Sequence, residues 1–166
     1  MNLIVSVDRN WGIGKDGKLL FSISADMKFF RETTQGGVVV MGRGTFESLP
    51  GRRPLKNRVN IILSKEKTLA PEGFTVCYSI EEVRKITAEY KSDTVFIIGG
   101  ESLYRAFLDD CSTAYITKVD QAVPADRHIP NLDQLPGWEL VYESEPQEQE
   151  GLFFRFCTYR NKQTAF

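Results

Sequence analysis

Eight short apolar runs, rich in Val, Ile and aromatic residues, recur along this chain at 3–7 (LIVSV), 37–41 (GVVVM), 58–63 (RVNIIL), 74–77 (FTVC), 94–99 (TVFIIG), 114–119 (AYITKV), 138–144 (WELVYES) and 152–159 (LFFRFCTY). Runs of this length and composition read as strands. Helical patterns stand between several of them, at 24–34 (SADMKFFRETT), 44–49 (GTFESL), 79–90 (SIEEVRKITAEY) and 101–108 (ESLYRAFL). The alternation predicts an α/β fold, because short helical crossovers make neighbouring strands parallel. Ser24 and Ser79 read as the N-caps of their helices, and Glu82, three positions after Ser79, completes a capping box. The last two strands flank the acidic stretch SEPQEQEG and read as a long antiparallel pair. The expected architecture is a mixed, mostly parallel eight-stranded sheet flanked by about four helices, closed by a C-terminal antiparallel strand pair.

Bulk properties bound the function. A chain of 166 residues, 42% of them hydrophobic, suits one domain over 1–166 with a full core, and the expected state is a monomer. Its 21 Lys and Arg against 22 Asp and Glu give a net charge of -1, so no bulk field favours a polyanion and nucleic acid is not expected as a partner. The N-terminus enters a strand at once, without a leader pattern or a membrane-length apolar run, which predicts a cytoplasmic protein with no membrane partner. Three cysteines without paired spacing, Cys77, Cys111 and Cys157, read as buried reduced thiols, and no metal site is expected. His128 reads as a surface imidazole in a polar loop.

Residues 12–17 spell GIGKDG, the G-x-G-x-x-G of a dinucleotide turn. That turn works by running a strand into its first glycine and opening a helix at its last. Here DRNW lengthens the turn, and KLLFSIS follows Gly17 with no helical recurrence. The segment therefore reads as a glycine-punctuated flap with Trp11 and Ile13 exposed on it.

Ligands of open α/β sheets gather at the carboxyl ends of strands. The second strand ends in VVVMGRGT, where Gly42 and Gly44 free backbone amides at a helix start and Arg43 adds a charge. The run 94–99 ends in FIIGGESLY, where Gly99 and Gly100 permit close approach to the amides around Glu101 and Ser102. The third ends in IILSKEK, which brings Ser64 and Lys65 alongside. Together these junctions point to an anionic cofactor with separate phosphate groups, and Arg43, Ser64 and Lys65 suit an extra phosphate on a ribose. Asp26, in the first turn of its helix, shares a face with Phe29 and Phe30. It is either a carboxylate favoured by the helix dipole or a desolvated acid with a raised pKa, poised to anchor a heterocycle that presents two N–H groups.

These pieces, in this order, resemble the dihydrofolate reductase family over almost the whole chain: GIGKDG, the Asp26 helix ending FFRETT, VVVMGRGTFESL, RRPLKNRVNIILS, FIIGGESLYRAFL, AYITKV and the C-terminal strand pair. The resemblance implies NADPH-dependent reduction of 7,8-dihydrofolate, with antifolates as inhibitors. It implies catalytic roles for Asp26, Thr117 and Phe21, and a substrate slot formed by Ile4, Val5, Leu19, Phe30, Leu49, Leu55 and Ile98. Arg58 would pair with the substrate's tail carboxylate. NADPH would be lined by Ser6, Ile13, Gly14, Gly42, Arg43, Gly44, Thr45, Ser64, Lys65, Gly99, Gly100, Glu101, Ser102, Leu103 and Tyr104, with a cis peptide between Gly99 and Gly100. The chain departs from the family pattern at Leu20 and Phe21, where Pro-Trp is usual, at Ser24, where Pro is usual, and at Ala125, where a distal loop usually has Gly. The last change predicts altered coupling between that loop and the flap. Two other readings share these features: an NADPH reductase of another heterocycle, such as the ribosyl-pyrimidine reductases of riboflavin synthesis, and a nucleotide- or folate-binding module without turnover.

Overall fold

Continuous apolar runs become strands buried on both faces, since helices cover both sides of a parallel sheet. The structure, a computed structural model, describes residues 1–164. In chain order the elements are β1 (Asn2–Val7), β2 (Gly12–Lys15), β3 (Lys18–Leu19), α1 (Ser24–Thr34), β4 (Val38–Gly42), α2 (Arg43–Ser48), β5 (Val59–Leu63), β6 (Thr75–Cys77), α3 (Ile80–Thr87), β7 (Val95–Gly99), α4 (Glu101–Phe107), β8 (Thr113–Val119), β9 (Arg127–His128), β10 (Trp138–Glu143), β11 (Gln147–Gln149) and β12 (Leu152–Asn161). The central sheet runs β10, β12, β8, β1, β7, β4, β5, β6, with the short β11 added beside β12. From β8 to β6 all neighbours are parallel, and β12 is antiparallel to both β8 and β10. All eight strand-like runs of the sequence lie in this sheet, in the expected mixed arrangement.

The two-residue period of a strand divides its side chains between two cores. Leu3, Val7, Val38, Val40, Ile61, Val95 and Ile97 pack on one face with Val83 of α3 and Leu103 and Phe107 of α4. Ile4, Val39, Met41, Ile62 and Phe96 take the other face with Phe46 of α2, and Phe29 and Phe30 of α1 lie half-buried against them. The α1 face of the sheet is thus the less completely covered.

Helix ends depart from expectation in two places. Ser24 is the first helical residue of α1 and not its cap; the cap is Ile23, whose side chain is buried with Val119 and Phe154. Packing therefore fixes the entry angle, and the Ser24 amide donates to the Gln149 side chain at 3.0 Å. Ser79 does cap α3, accepting from the Glu82 amide, but the Glu82 carboxylate accepts from the Tyr78 amide at 2.8 Å, one residue before the cap. That helix ends at Thr87, short of the expected Tyr90.

The flap is an ordered element. β2 pairs with β3 on one side and β9 on the other, forming a three-stranded sheet in place of the expected loop. Trp11 and Ile13 are not exposed: they retain 4% and 7% of their accessible surface. Trp11 packs edge-on against Tyr159, with Lys118 over its ring, so the large apolar side chain joins the core that an isolated surface loop would not offer. His128 belongs to β9 and is partly buried, its amide donating to Glu101 at 2.6 Å. All three cysteines are free and buried.

The root of the flap is held by Asp8, itself buried. Its Oδ1 accepts from the amides of Asn10 at 2.9 Å and Gly12 at 2.8 Å, and its Oδ2 accepts from Val123 at 3.1 Å. Replacing it by Ala strands backbone donors in a buried turn, where each unsatisfied group costs about 1–3 kcal/mol. Asp8→Ala is therefore expected to lose at least about 2 kcal/mol in chemical denaturation, and a loss within error of zero would show that water satisfies these amides.

Candidate active site

Asp26 stands at the third position of α1, facing β8. The Thr117 hydroxyl donates to its Oδ1 at 2.6 Å. Thr117 is fixed in turn by the sheet, in register with Ser6 of β1 and Phe156 of β12, and is 2% exposed. Burial pushes the Asp26 pKa up, and the Thr117 hydrogen bond opposes that shift. Among the described residues no Lys, Arg or His lies within ion-pairing distance of this carboxyl. The Tyr104 hydroxyl, fully buried, donates to the Ile4 carbonyl at 2.9 Å, and burial followed by the Asp26 charge holds its pKa far above the ordinary phenol value.

Beside the acid is a half-exposed apolar surface. Phe30, Leu49, Leu55 and Ile98 pack together with Ile4, and Phe29 is pinned by Phe156, with ring centroids 4.8 Å apart. At the far end of α1 the Arg58 guanidinium donates to Thr34 Oγ1 at 3.0 Å and to the Lys56 carbonyl at 2.9 Å. Burial, and then the charge of Arg31, push its pKa down. Asp26 and Thr34 are eight residues apart on one helix, or about 12 Å along its axis. An acid thus stands at one end of α1 and an arginine at the other, with Phe29 and Phe30 between them along the helix.

On the other side of the strand ends, the glycine junctions of β4 and β7 face each other. A Cβ on Gly42 would lie 3.7 Å from the Gly99 carbonyl and 3.8 Å from the Gly100 amide. The Gly99–Gly100 peptide is cis. Gly99 has a φ of 130°, and a Cβ there would meet the Thr45 hydroxyl at 3.0 Å, so only glycine fits. Gly42 and Gly100 precede α2 and α4, neither of which has a side-chain cap, so the first amides of both helices stay available for an anion.

A sequence model of the dihydrofolate reductase family matches residues 1–161. The chain belongs to the dihydrofolate reductase family. It is 32% identical to the dihydrofolate reductase of Bacillus subtilis, over 99% of this chain and 96% of that one. It is also 32% identical to the bifunctional dihydrofolate reductase-thymidylate synthase of Daucus carota, over 95% of this chain, but spans only 33% of that longer relative. A solved structure of Enterococcus faecalis dihydrofolate reductase complexed with NADP(H) and RAB-propyl superposes with a TM-score of 0.86 at 31% identity, covering 98% of this chain and 96% of that chain.

Within this dihydrofolate reductase fold the residues anticipated from the sequence are unevenly placed. Asp26 and Thr117 are in direct contact, and Phe30, Leu49, Leu55 and Ile98 pack, partly buried, against the core cluster that contains Ile4. Val5 turns to the opposite core. Leu19 is 74% exposed at the end of β3, opposite Gly14, and Phe21 packs with Ile23, Val119 and Phe154. Leu103 and Tyr104 are sealed in the core beneath α4, whereas Ser102 is exposed and Glu101 half-buried. Ala125 leaves the distal loop joined to the flap: the Asp126 amide donates to the Gly14 carbonyl at 2.9 Å, and its carboxylate accepts from the Asp16 amide at 3.0 Å. Sequence reasoning missed Asp8, although D-x-N-x-G is itself a side-chain-to-backbone turn signal. It also missed Glu47 and Glu66, which both pair with Arg43.

The raised pKa of Asp26 makes stability depend on pH with a definite sign. Below the ordinary carboxylate range the group is neutral in both the folded and unfolded chain and costs nothing; as pH rises through the folded value, the ionised form is disfavoured by burial and stability falls. Asp26→Asn carries no charge, so its melting temperature is expected to exceed that of the native protein by a few degrees at neutral pH, the gap closing toward acid. A gap that stays constant across the pH series would refute the assignment.

Proposed function

We propose that this chain catalyses the NADPH-dependent reduction of 7,8-dihydrofolate to 5,6,7,8-tetrahydrofolate. The observation that carries the reading is the Asp26–Thr117 pair: a desolvated acid, held at 2.6 Å by a hydroxyl, beside an apolar surface that ends at Arg58. A pterin presents two N–H donors on its amino-pyrimidine edge, which Asp26 would accept. The p-aminobenzoyl ring would lie on Phe30, Leu49, Leu55 and Ile98, and Arg58 would take the tail carboxylate in a charge-assisted contact. Small-molecule antifolates that present the same donor edge would compete for Asp26.

The residues present fit NADPH. The uncapped starts of α2 and α4, with the Gly42, Gly99 and Gly100 cradle, offer backbone amides to the phosphates, and Arg43, Ser64 and Lys65 lie at the adjoining strand ends. When bound, NADPH supplies the hydride that adds to C6 of the pterin. The chain contributes position and proton control. Ser6, Ile13 and Gly14 of β1 and the flap would cover the nicotinamide side and exclude water. Asp26 would sit at the pyrimidine edge, away from N5, so that a water beneath the flap would deliver the proton while the acid governs how readily the ring accepts it. The flap's first strand is anchored at Asp8 and Asp126, which holds that cover in register with the site.

The test is NADPH oxidation by the purified protein with and without dihydrofolate, followed through single turnovers across pH. Turnover is expected only with dihydrofolate, and Asp26→Asn should slow hydride transfer at neutral pH by about 100-fold, recovering toward acid as solvent protonates the substrate. Absence of turnover in the folded native protein would defeat the reading; superimposable pH profiles for the two proteins would return Asp26 to a helix-dipole role.

A further inference from the structure

Arg43 is flanked by two carboxylates. Its Nε donates to Glu47 Oε1 at 2.8 Å, four residues along α2, and its Nη1 lies in ion-pair contact with Glu66 Oε2. The first arrangement is an ordinary helix pair. The second is not local: Glu66 comes from the loop after β5, and that loop is built to hold it. The Ser64 hydroxyl accepts from the Glu66 amide at 3.1 Å, the Ser64 amide donates to the Cys77 carbonyl at 2.9 Å, and Thr68 donates to Glu66 Oε1 at 3.2 Å. Glu66 Oε2 lies against the Arg43 guanidinium and is shut off from solvent.

We infer that Glu66 is a specificity-determining residue that restrains the preference for a ribose 2′-phosphate over a 2′-hydroxyl. The inference rests on the cofactor reading above, in which Arg43, Ser64 and Lys65 receive that end of NADPH. Recognition of the two riboses calls for opposite chemistry: a cation for the phosphate, and an acid that accepts from the hydroxyl. This chain places both at one point. A 2′-phosphate, with acceptors only, must share Arg43 with Glu66 or displace it, and the like charges repel. A 2′-hydroxyl carries no charge and leaves the Arg43–Glu66 pair in place. Glu47 holds Nε and Glu66 lies against Nη1, so two of the three guanidinium nitrogens of Arg43 already face a carboxylate when a phosphate arrives.

The alternative role for Glu66 is to hold Arg43 ready for the phosphate, and it predicts the opposite sign. The experiment is equilibrium titration of NADPH and of NADH, read by quenching of protein fluorescence without turnover, on the native protein, Glu66→Gln and Arg43→Ala. The isosteric Glu66→Gln is expected to tighten NADPH by about tenfold and to leave NADH unchanged or weaker, widening the ratio of the two dissociation constants. Arg43→Ala should narrow that ratio. Weaker NADPH binding in Glu66→Gln, or an unchanged ratio, would overturn the inference and leave Glu66 as a positioning residue or a bystander. An unchanged ratio in Arg43→Ala would show instead that the phosphate binds elsewhere, and both the placement and the inference would fall.

Discussion

A carboxyl placed where burial opposes its charge, with one hydroxyl to hold it, is the interaction around which this molecule is arranged. Thr117 reaches Asp26 only because β8 is locked between β1 and β12, and Asp26 reaches Thr117 only because Ile23 is seated against Val119 and Phe154 at the start of α1. The helix is therefore fixed at its first turn by one apolar contact and one polar one. Further along, α1 lies on the sheet through half-buried Phe29 and Phe30 and does not close over it. A fully packed helix would have buried the acid without leaving anything for it to bind.

Charge is distributed differently on the two sides of the strand ends. On the α1 side an acid and an arginine are separated along one helix, each in surroundings that disfavour its charge. Such groups gain most from a partner that brings the complementary charge or donors, because desolvation has already been incurred in the free protein. On the α2 side the charges are paired already, Arg43 with Glu47 and Glu66, and backbone amides supply most of the uncommitted polar groups. The first side suits recognition of one heterocyclic acid; the second suits phosphates held by geometry and tuned by whichever carboxylates stand near.

The sheet was legible in the sequence because strands buried on both faces leave continuous apolar runs, and each of the eight lies within one or two residues of its expected bounds. The flap strands were not, since β2, β3 and β9 have two to four residues, with glycine at two positions of β2, and leave no periodic signal. Trp11 was misread for a related reason: its burial depends on Tyr159, almost the whole chain away, and no local pattern records such a contact. Ser24 shows the reverse error, a residue with good capping chemistry overruled by the packing of Ile23 beside it. Of the site, Asp26 and the glycine junctions could be read locally. The partner of Arg43 at Glu66 could not, because the ends of β4 and β5 meet only once the sheet is formed.

The central claim is that Asp26 is an acid with a raised pKa, held in check by Thr117, and it is tested most directly by carbon NMR titration of the Asp26 carboxyl in the native protein and in Thr117→Val. The account predicts a midpoint above the ordinary carboxylate range in the native protein and a higher one still in the variant, where the hydroxyl that favours the charged form is gone. A native midpoint at the value of an unperturbed aspartate, or one that does not move when Thr117 is replaced, would contradict it.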